Sequence, residues 1–267
     1  MNRIEETFKR LKQNKEAGLV GFVTAGDPDI ATSERIITGM CKSGLDILEL
    51  GIPFSDPTAD GPVIQRSSAR ALAQGVNIGK VLEMTAIIRK QTPIPIILFS
   101  YYNPIHAYGV EKFYHDAVGA GADGVLLVDL PPEESDEMTS QNQGYDFDLI
   151  RLVAPTTPVE RMKYIAEFAK GFLYLVSKTG VTGSDGLDTG DIRENMRQLR
   201  LCTRLPICVG FGISTAEDVA AVAALADGVV IGSAFERLIE ENLDDADLDL
   251  LLAKKVKVYK AATINFS

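Results

Sequence analysis

Residues 19–28, Leu19-Val20-Gly21-Phe22-Val23-Thr24-Ala25-Gly26-Asp27-Pro28, are the stretch that decides the fold. The apolar run over 19–24 reads as a buried strand, and Ala25-Gly26-Asp27-Pro28 reads as the turn that closes it. A dinucleotide-binding sheet would place GxGxxG here, straight after its first strand. The chain has TAGDPD instead. A helix pattern with Ile36, Ile37 and Met40 follows, and then a second apolar run over 45–50 that ends in Gly51.

The alternation persists along the chain. Further strand-like runs fall at 95–100, 124–129, 147–153, 172–177, 205–209 and 228–231. Helix-like segments lie near 110–120, 133–142, 158–169, 190–200 and 214–226, with a last one at about 247–262. The eight strands are too uniformly apolar to have a solvated face, as expected of parallel strands covered on both sides. Strict β/α alternation leaves an open doubly wound sheet or a closed barrel. Eight units in 267 residues, without the GxGxxG turn, select an α/β fold of the (β/α)8 TIM-barrel type. Ile4, Phe8 and Leu11 recur at helical spacing before the first strand and add an N-terminal helix. No Pro-, Ser- or charge-rich linker divides the chain, so residues 1–267 are expected to form one domain.

Composition excludes several classes. With 46% hydrophobic and 24% charged residues the chain is not a disordered one. A formal charge of −10 argues against nucleic acid or an anionic membrane as partner, because both require a basic face. Three cysteines, Cys41, Cys202 and Cys208, form no CxxC pair, which points to a reducing, cytosolic setting. The charged N-terminus is not a signal peptide, and no stretch has the roughly 18–20 apolar residues of a membrane span. The expectation is a soluble, intracellular protein.

In a barrel, the chemistry lies where the strands end. Leu45, Ile47 and Glu49 share one face of the second strand, which poises the Glu49 carboxyl over the barrel mouth. Partial burial there would raise its pKa and suit it to giving and taking a proton. The polar, proline-rich loop that follows carries Asp56 and Asp60. The sixth strand runs into Ser177-Lys178-Thr179-Gly180-Val181-Thr182-Gly183, the seventh into Gly210-Phe211-Gly212-Ile213-Ser214, and the eighth into Gly232-Ser233-Ala234. Glycine turns that open helices present backbone N–H groups to a dianion, and the last two strands are the usual phosphate position in this fold. His106, read as a loop residue, and His115, read as a surface helix residue, have no metal-ligand spacing. Cys202 and Cys208 read as buried fillers, and the acidic run 244–249 as a solvated turn.

TAGDP, LELGIPFSDPTADGP, YYNP, SKTGVTG, VGFGIS and GSA, in this order and spacing, closely resemble the tryptophan synthase alpha-subunit family. The resemblance runs from the first helix to about residue 262. It implies retro-aldol cleavage of indole-3-glycerol phosphate to indole and glyceraldehyde 3-phosphate. By motif position it implies that Glu49 is the general acid/base and that Asp60 holds the indole N–H. Phe22, Tyr174 and Phe211 match positions that line the indole pocket or lie beside the substrate. Gly183, Gly212, Gly232 and Ser233 match the phosphate cradle, and Thr182 matches the residue that closes over Asp60. The family works as an αββα complex with a pyridoxal-phosphate β subunit, so the cofactor would belong to the partner and this chain would need none. Asp56, Pro57, Tyr101–Pro104 and Pro131 would face that partner. Departures are small: Lys178 stands where many members have Arg, Gly21 replaces a frequent proline, and Val128 replaces a smaller residue. Rival readings are a Schiff-base aldolase using Lys178, a regulatory subunit with vestigial chemistry, and a stand-alone lyase that releases free indole.

Overall fold

Apolar runs that alternate with amphipathic ones close on themselves in three dimensions. In a computed structural model of the chain, residues 2–141, 145–177 and 189–264 are described. The first half runs α1 (Arg3–Asn14), β1 (Gly18–Thr24), α2 (Ile30–Lys42), β2 (Ile47–Gly51), α3 (Pro62–Ala73), α4 (Ile78–Arg89), β3 (Ile96–Ser100), α5 (Tyr102–Tyr108) and α6 (Val110–Ala120). It continues with β4 (Gly124–Leu127), a 3-10 turn at Pro132–Glu134, α7 (Asp136–Gln141), β5 (Asp148–Val153), α8 (Val159–Glu167) and β6 (Leu173–Val176). The last part is α9 (Thr189–Cys202), β7 (Ile207–Gly210), α10 (Ala216–Ala223), β8 (Gly228–Ile231), α11 (Ser233–Glu240) and α12 (Leu248–Ala262). The eight strands pair in parallel, and β1 pairs with both β2 and β8, which closes the barrel.

Alternation along each strand divides the side chains between two cores. Val20, Ile47, Ile97, Leu126, Ile150, Phe172 and Cys208 fill the inside, while the other face packs under the helices. The N-terminal helix belongs to the inner core. Ile4, Phe8 and Leu11 join it, with the Phe8 ring 5.8 Å from that of Phe172. Asn2 caps this helix by accepting from the Glu5 N–H at 2.9 Å.

A row of aspartates at the N-terminal ends of strands finishes the ladder. Asp46, Asp123 and Asp227 accept the first free N–H of a neighbouring strand, from Leu19, Ile96 and Ile207. Each is also paired with a cation: Arg10 and Lys260 with Asp46, Arg3 and Arg89 with Asp123, Arg200 with Asp227.

Every expected strand is present, with ends moved by at most two residues. Helices α3, α4, α5 and α11 were not placed from the sequence, although α3 and α4 have start signals there. Gly61 and Pro62 are the cap and first residue of α3, and the Asn77 side chain accepts from the Lys80 N–H at the start of α4. His106, expected in a loop, lies in α5. Pro104 did not prevent that helix because it occupies the first turn, where its missing N–H has no acceptor. His115 is exposed on α6, and Cys208 is buried, whereas Cys202 is only half-buried.

One strand-end glycine is fixed by sterics. A Cβ on Gly210 would stand 2.1 Å from the Tyr174 hydroxyl and 2.9 Å from Val230 Cβ. Gly210→Ala should therefore cost about 1–3 kcal/mol of stability. The check is a urea midpoint that falls with an unchanged slope.

Candidate active site

Position within the strands decides which polar groups reach the barrel mouth. Phe22 and Glu49 are register partners on β1 and β2, and both point inward one step above Val20 and Ile47. Gly51 continues β2 without a side chain, because a Cβ there would meet the Phe22 ring at 2.7 Å. The result is a cavity of about 320 Å³ at the C-terminal end of the barrel. Phe22, Glu49, Asp60, Tyr174, Phe211, Gly212, Gly232 and Ser233 all line it. Thr182 and Gly183 lie outside the described residues, as does Lys178.

Glu49 is 1% exposed, and its Oε1 has no hydrogen-bond partner among the described residues. Burial without a compensating donor disfavours the charged form and pushes this carboxyl up to about 8. It therefore carries a proton at neutral pH and faces a cavity where that proton has a use.

Asp60 is held differently. Burial raises it to about 6, while a hydrogen bond from the Tyr101 hydroxyl, 3.1 Å from Oδ2, pulls the other way. The same hydroxyl accepts the Ala59 N–H at 2.9 Å, so Tyr101 pins the loop on both sides of the carboxylate. Tyr101 was expected to face a partner. It is buried, because its ring packs 5.3 Å from Phe54 and its hydroxyl is turned to Asp60. Asn103 and Asp56 are exposed, and Pro57, Tyr102, Pro104 and Pro131 are half-buried.

Aromatic rings shape the floor. Phe22 and Phe99 meet edge-on at 5.0 Å, and Tyr174 and Phe211 edge-on at 6.3 Å. Phe211 has a φ of 82°, a left-handed conformation that a bulky residue adopts only when its surroundings impose it. Gly212 follows at φ 72°. Beyond this turn, the N-terminus of α11 opens into the cavity, and the first N–H groups of a helix have no acceptor within it.

The sequence reading passed over Ile64, Phe99 and Arg237. Phe99 carries a usable signal, since it follows Ile97 on the inward face of the third run. Ile64 became visible only with α3. Arg237, one turn along α11 from Ser233, is the one cation among the described lining residues.

A closed parallel barrel with two carboxyl groups and a helix N-terminus around one mouth cavity is the architecture of a (β/α)8-barrel enzyme. The family described as "Tryptophan synthase alpha chain" matches residues 8–263. The tryptophan synthase alpha chain of Desulfosudis oleivorans is 66% identical over 98% of this chain and 99% of its own length. That of Desulfatibacillum aliphaticivorans is 62% identical, with the same coverage. Among solved structures, the alpha subunit of Legionella pneumophila superposes with a TM-score of 0.90 at 42% identity, covering 98% of each chain. The chain belongs to the tryptophan synthase alpha chain family. It is a carbon–carbon lyase that cleaves indole-3-glycerol phosphate to indole and glyceraldehyde 3-phosphate.

A buried neutral acid costs stability in a defined pH range. The folded Glu49 keeps its proton up to about 8, whereas the unfolded chain releases it near the ordinary value of 4.5. Between those values the unfolded state binds fewer protons, so this group's contribution is complete below 4.5 and is lost as pH rises toward 8. Glu49→Gln removes that loss. The melting temperature of the variant should gain on wild type steadily from pH 5 to pH 8. A gap that stays constant across this range would show that Glu49 is ionised in the folded protein.

Proposed function

We propose that Glu49 is the acid and then the base of the cleavage, and that Asp60 is the fixed negative charge that makes it possible. The observation that carries this reading is the buried, unpartnered Glu49 oxygen facing the cavity, with Asp60 on the loop above it. Protonated Glu49 delivers its proton to indole C3, which turns the ring into a cationic indolenine. Asp60 accepts a hydrogen bond from the ring N–H and stabilises that cation. The Glu49 carboxylate then takes the proton of the side-chain hydroxyl next to the ring. The carbon–carbon bond breaks, its electron pair restores the aromatic indole, and the hydroxyl carbon becomes the aldehyde. One proton has cycled through Glu49, which ends as it began. Phe22, Phe99 and Tyr174 offer an apolar bed for the indole. Gly212, Gly232, Ser233 and the start of α11 offer N–H groups to the phosphate, with Arg237 as the nearby cation.

This assignment fixes the signs of a pH profile. The rate should rise as Asp60 ionises near about 6 and fall as Glu49 loses its starting proton near about 8. Glu49→Gln should fold normally and lose roughly 10²–10⁴-fold of the lyase rate. Near wild-type turnover by the pure variant would overturn the assignment.

The partner reading is that a pyridoxal-phosphate β subunit docks over the β2 loop in an αββα assembly, takes up the indole and orders the segment that carries Asp60. Exposed Asp56 and Asn103 beside half-buried Pro57, Pro104 and Pro131 support that face. Free cysteines at 41, 202 and 208 support a reducing, cytoplasmic setting. No helix of the described residues is long and apolar enough to cross a membrane. If docking and catalysis are coupled through residues 53–62, Asp56→Ala should reduce activation by the β subunit and spare the slow activity of the isolated chain. Indole production with and without a saturating β subunit measures both. Equal damage in the two conditions would mean that Asp56 supports the barrel mouth alone.

A further inference from the structure

A second buried acid lies behind the cavity wall, where the lyase mechanism does not use it. Glu236, in the first turn of α11, is fully buried. Strand β8 ends at Ile231, opposite Gly21, so the Thr24 N–H at the end of β1 has no strand carbonyl to meet. Glu236 Oε1 replaces that carbonyl and accepts the N–H at 2.6 Å. Oε2 is sealed from solvent and has no hydrogen-bond partner of its own among the described residues.

Groups on the turn after β1, on α3 and on α11 itself surround this oxygen. From the turn after β1 comes Asp27, 1% exposed and within hydrogen-bonding reach. From α3 come Ser67, whose hydroxyl donates to the Ile64 carbonyl at 2.9 Å, and Arg70, which grips both Asp27 oxygens at 2.7 and 2.8 Å. Further along α11, Glu240 binds Arg70 at 3.0 Å and Arg66 at 2.6 Å. Two guanidinium groups thus balance two carboxylates, Asp27 and Glu240. A third negative charge at Glu236 would be buried beside Asp27, and Arg70, the cation that feels it, is already bonded to Asp27 and Glu240. A protonated Glu236 resolves both problems, since its O–H donates to Asp27 and satisfies the orphan oxygen. Burial and the Asp27 charge raise this carboxyl and outweigh the Thr24 N–H and the Ser67 hydroxyl, which pull it the other way.

The helices joined here are the ones that matter for the site. Helix α11 starts at Ser233 in the cavity wall, and α3 starts at Pro62, two residues after Asp60. We propose that Glu236 is a positioning residue that holds a proton in the folded protein and, through Thr24, Asp27 and Arg70, fixes the phosphate-binding end of α11 against the helix that follows Asp60. The proposal rests on the reading of Gly232 and Ser233 as phosphate-binding and of Asp60 as catalytic.

Two substitutions separate the proton from the packing. Glu236→Gln keeps an acceptor for Thr24 and supplies an N–H for Asp27, whereas Glu236→Leu supplies neither. Glu236→Leu should raise KM for indole-3-glycerol phosphate and weaken glycerol 3-phosphate binding by calorimetry, each roughly tenfold, with kcat changed far less. Glu236→Gln should stay within about twofold of wild type on both measures. Its melting temperature should gain on wild type as pH rises from 5 to 8, because it removes a proton-linked loss of stability. The proposal is overturned if Gln is as harmful as Leu, if Leu leaves KM and glycerol phosphate binding unchanged, or if the melting gap does not move with pH. Should Glu49→Gln keep near wild-type turnover, the assignment of Glu49 falls. The binding and melting comparisons at Glu236 would still decide this proposal.

Discussion

Parallel strands closed into a ring leave an interior that only alternate side chains can fill, and the rest of this molecule answers to that constraint. At the N-terminal end the filling is complete, because α1 inserts Ile4, Phe8 and Leu11 under the inner layer. At the other end, Gly51 and Gly210 withhold side chains, so Phe22 and Tyr174 turn into the space and leave a cavity above them. The inward face of β2 has one more position to fill there, and it holds a carboxyl. Glu49 is buried on the inward face of β2 inside the closed barrel. Its raised pKa is therefore a property of the fold and precedes any substrate.

Charge is handled in opposite ways at the two ends. Below, Asp46, Asp123 and Asp227 are paired with Arg and Lys and take up strand N–H groups, so their charges serve the ladder. Above, one oxygen of Glu49 and one of Glu236 have no hydrogen-bond partner among the described residues, and Glu236 faces another acid. An acid left in that condition keeps its proton, which suits one to chemistry and the other to a hydrogen bond that an ionised carboxylate could not donate. Stability is given up at the mouth and recovered at the base, the usual division of labour in this fold.

How much of this could be read from the sequence follows from the range of each interaction. Glu49 was legible because one strand carries its whole argument: Leu45, Ile47 and Glu49 alternate, and the strand ends at Gly51. The glycine turns after β7 and β8 were legible for the same local reason. Asp60 was placed by its motif, but its partner Tyr101 is 41 residues away and its environment had no local signal. Tyr101 was accordingly assigned to a surface that its burial excludes. Glu236 was hidden altogether. In Phe235-Glu236-Arg237-Leu238 it reads as an ordinary charged position on an amphipathic helix, and the contacts that bury it come from Thr24 and from α3. Arg237, beside it, has the same pattern and turns toward the cavity.

Strand β1 is the wall these two acids share. Its inward side carries Phe22, which is register partner to Glu49 and packs edge-on against Phe99. Two residues later the same strand ends in Thr24, whose N–H is held by Glu236 and whose hydroxyl meets Ser67 at 2.7 Å. The strand end cannot move outward without stretching the Glu236 bond, nor inward without pressing Phe22 on Glu49. Because Phe22 also borders Gly232, with 3.4 Å between its ring and the place of a Cβ there, the same short segment sets the width of the cavity on its phosphate side. Coupling between the two acids therefore needs no chain of polar contacts across the barrel. It follows from both being packed against three consecutive residues of one strand, and contacting groups of that kind do not contribute independently.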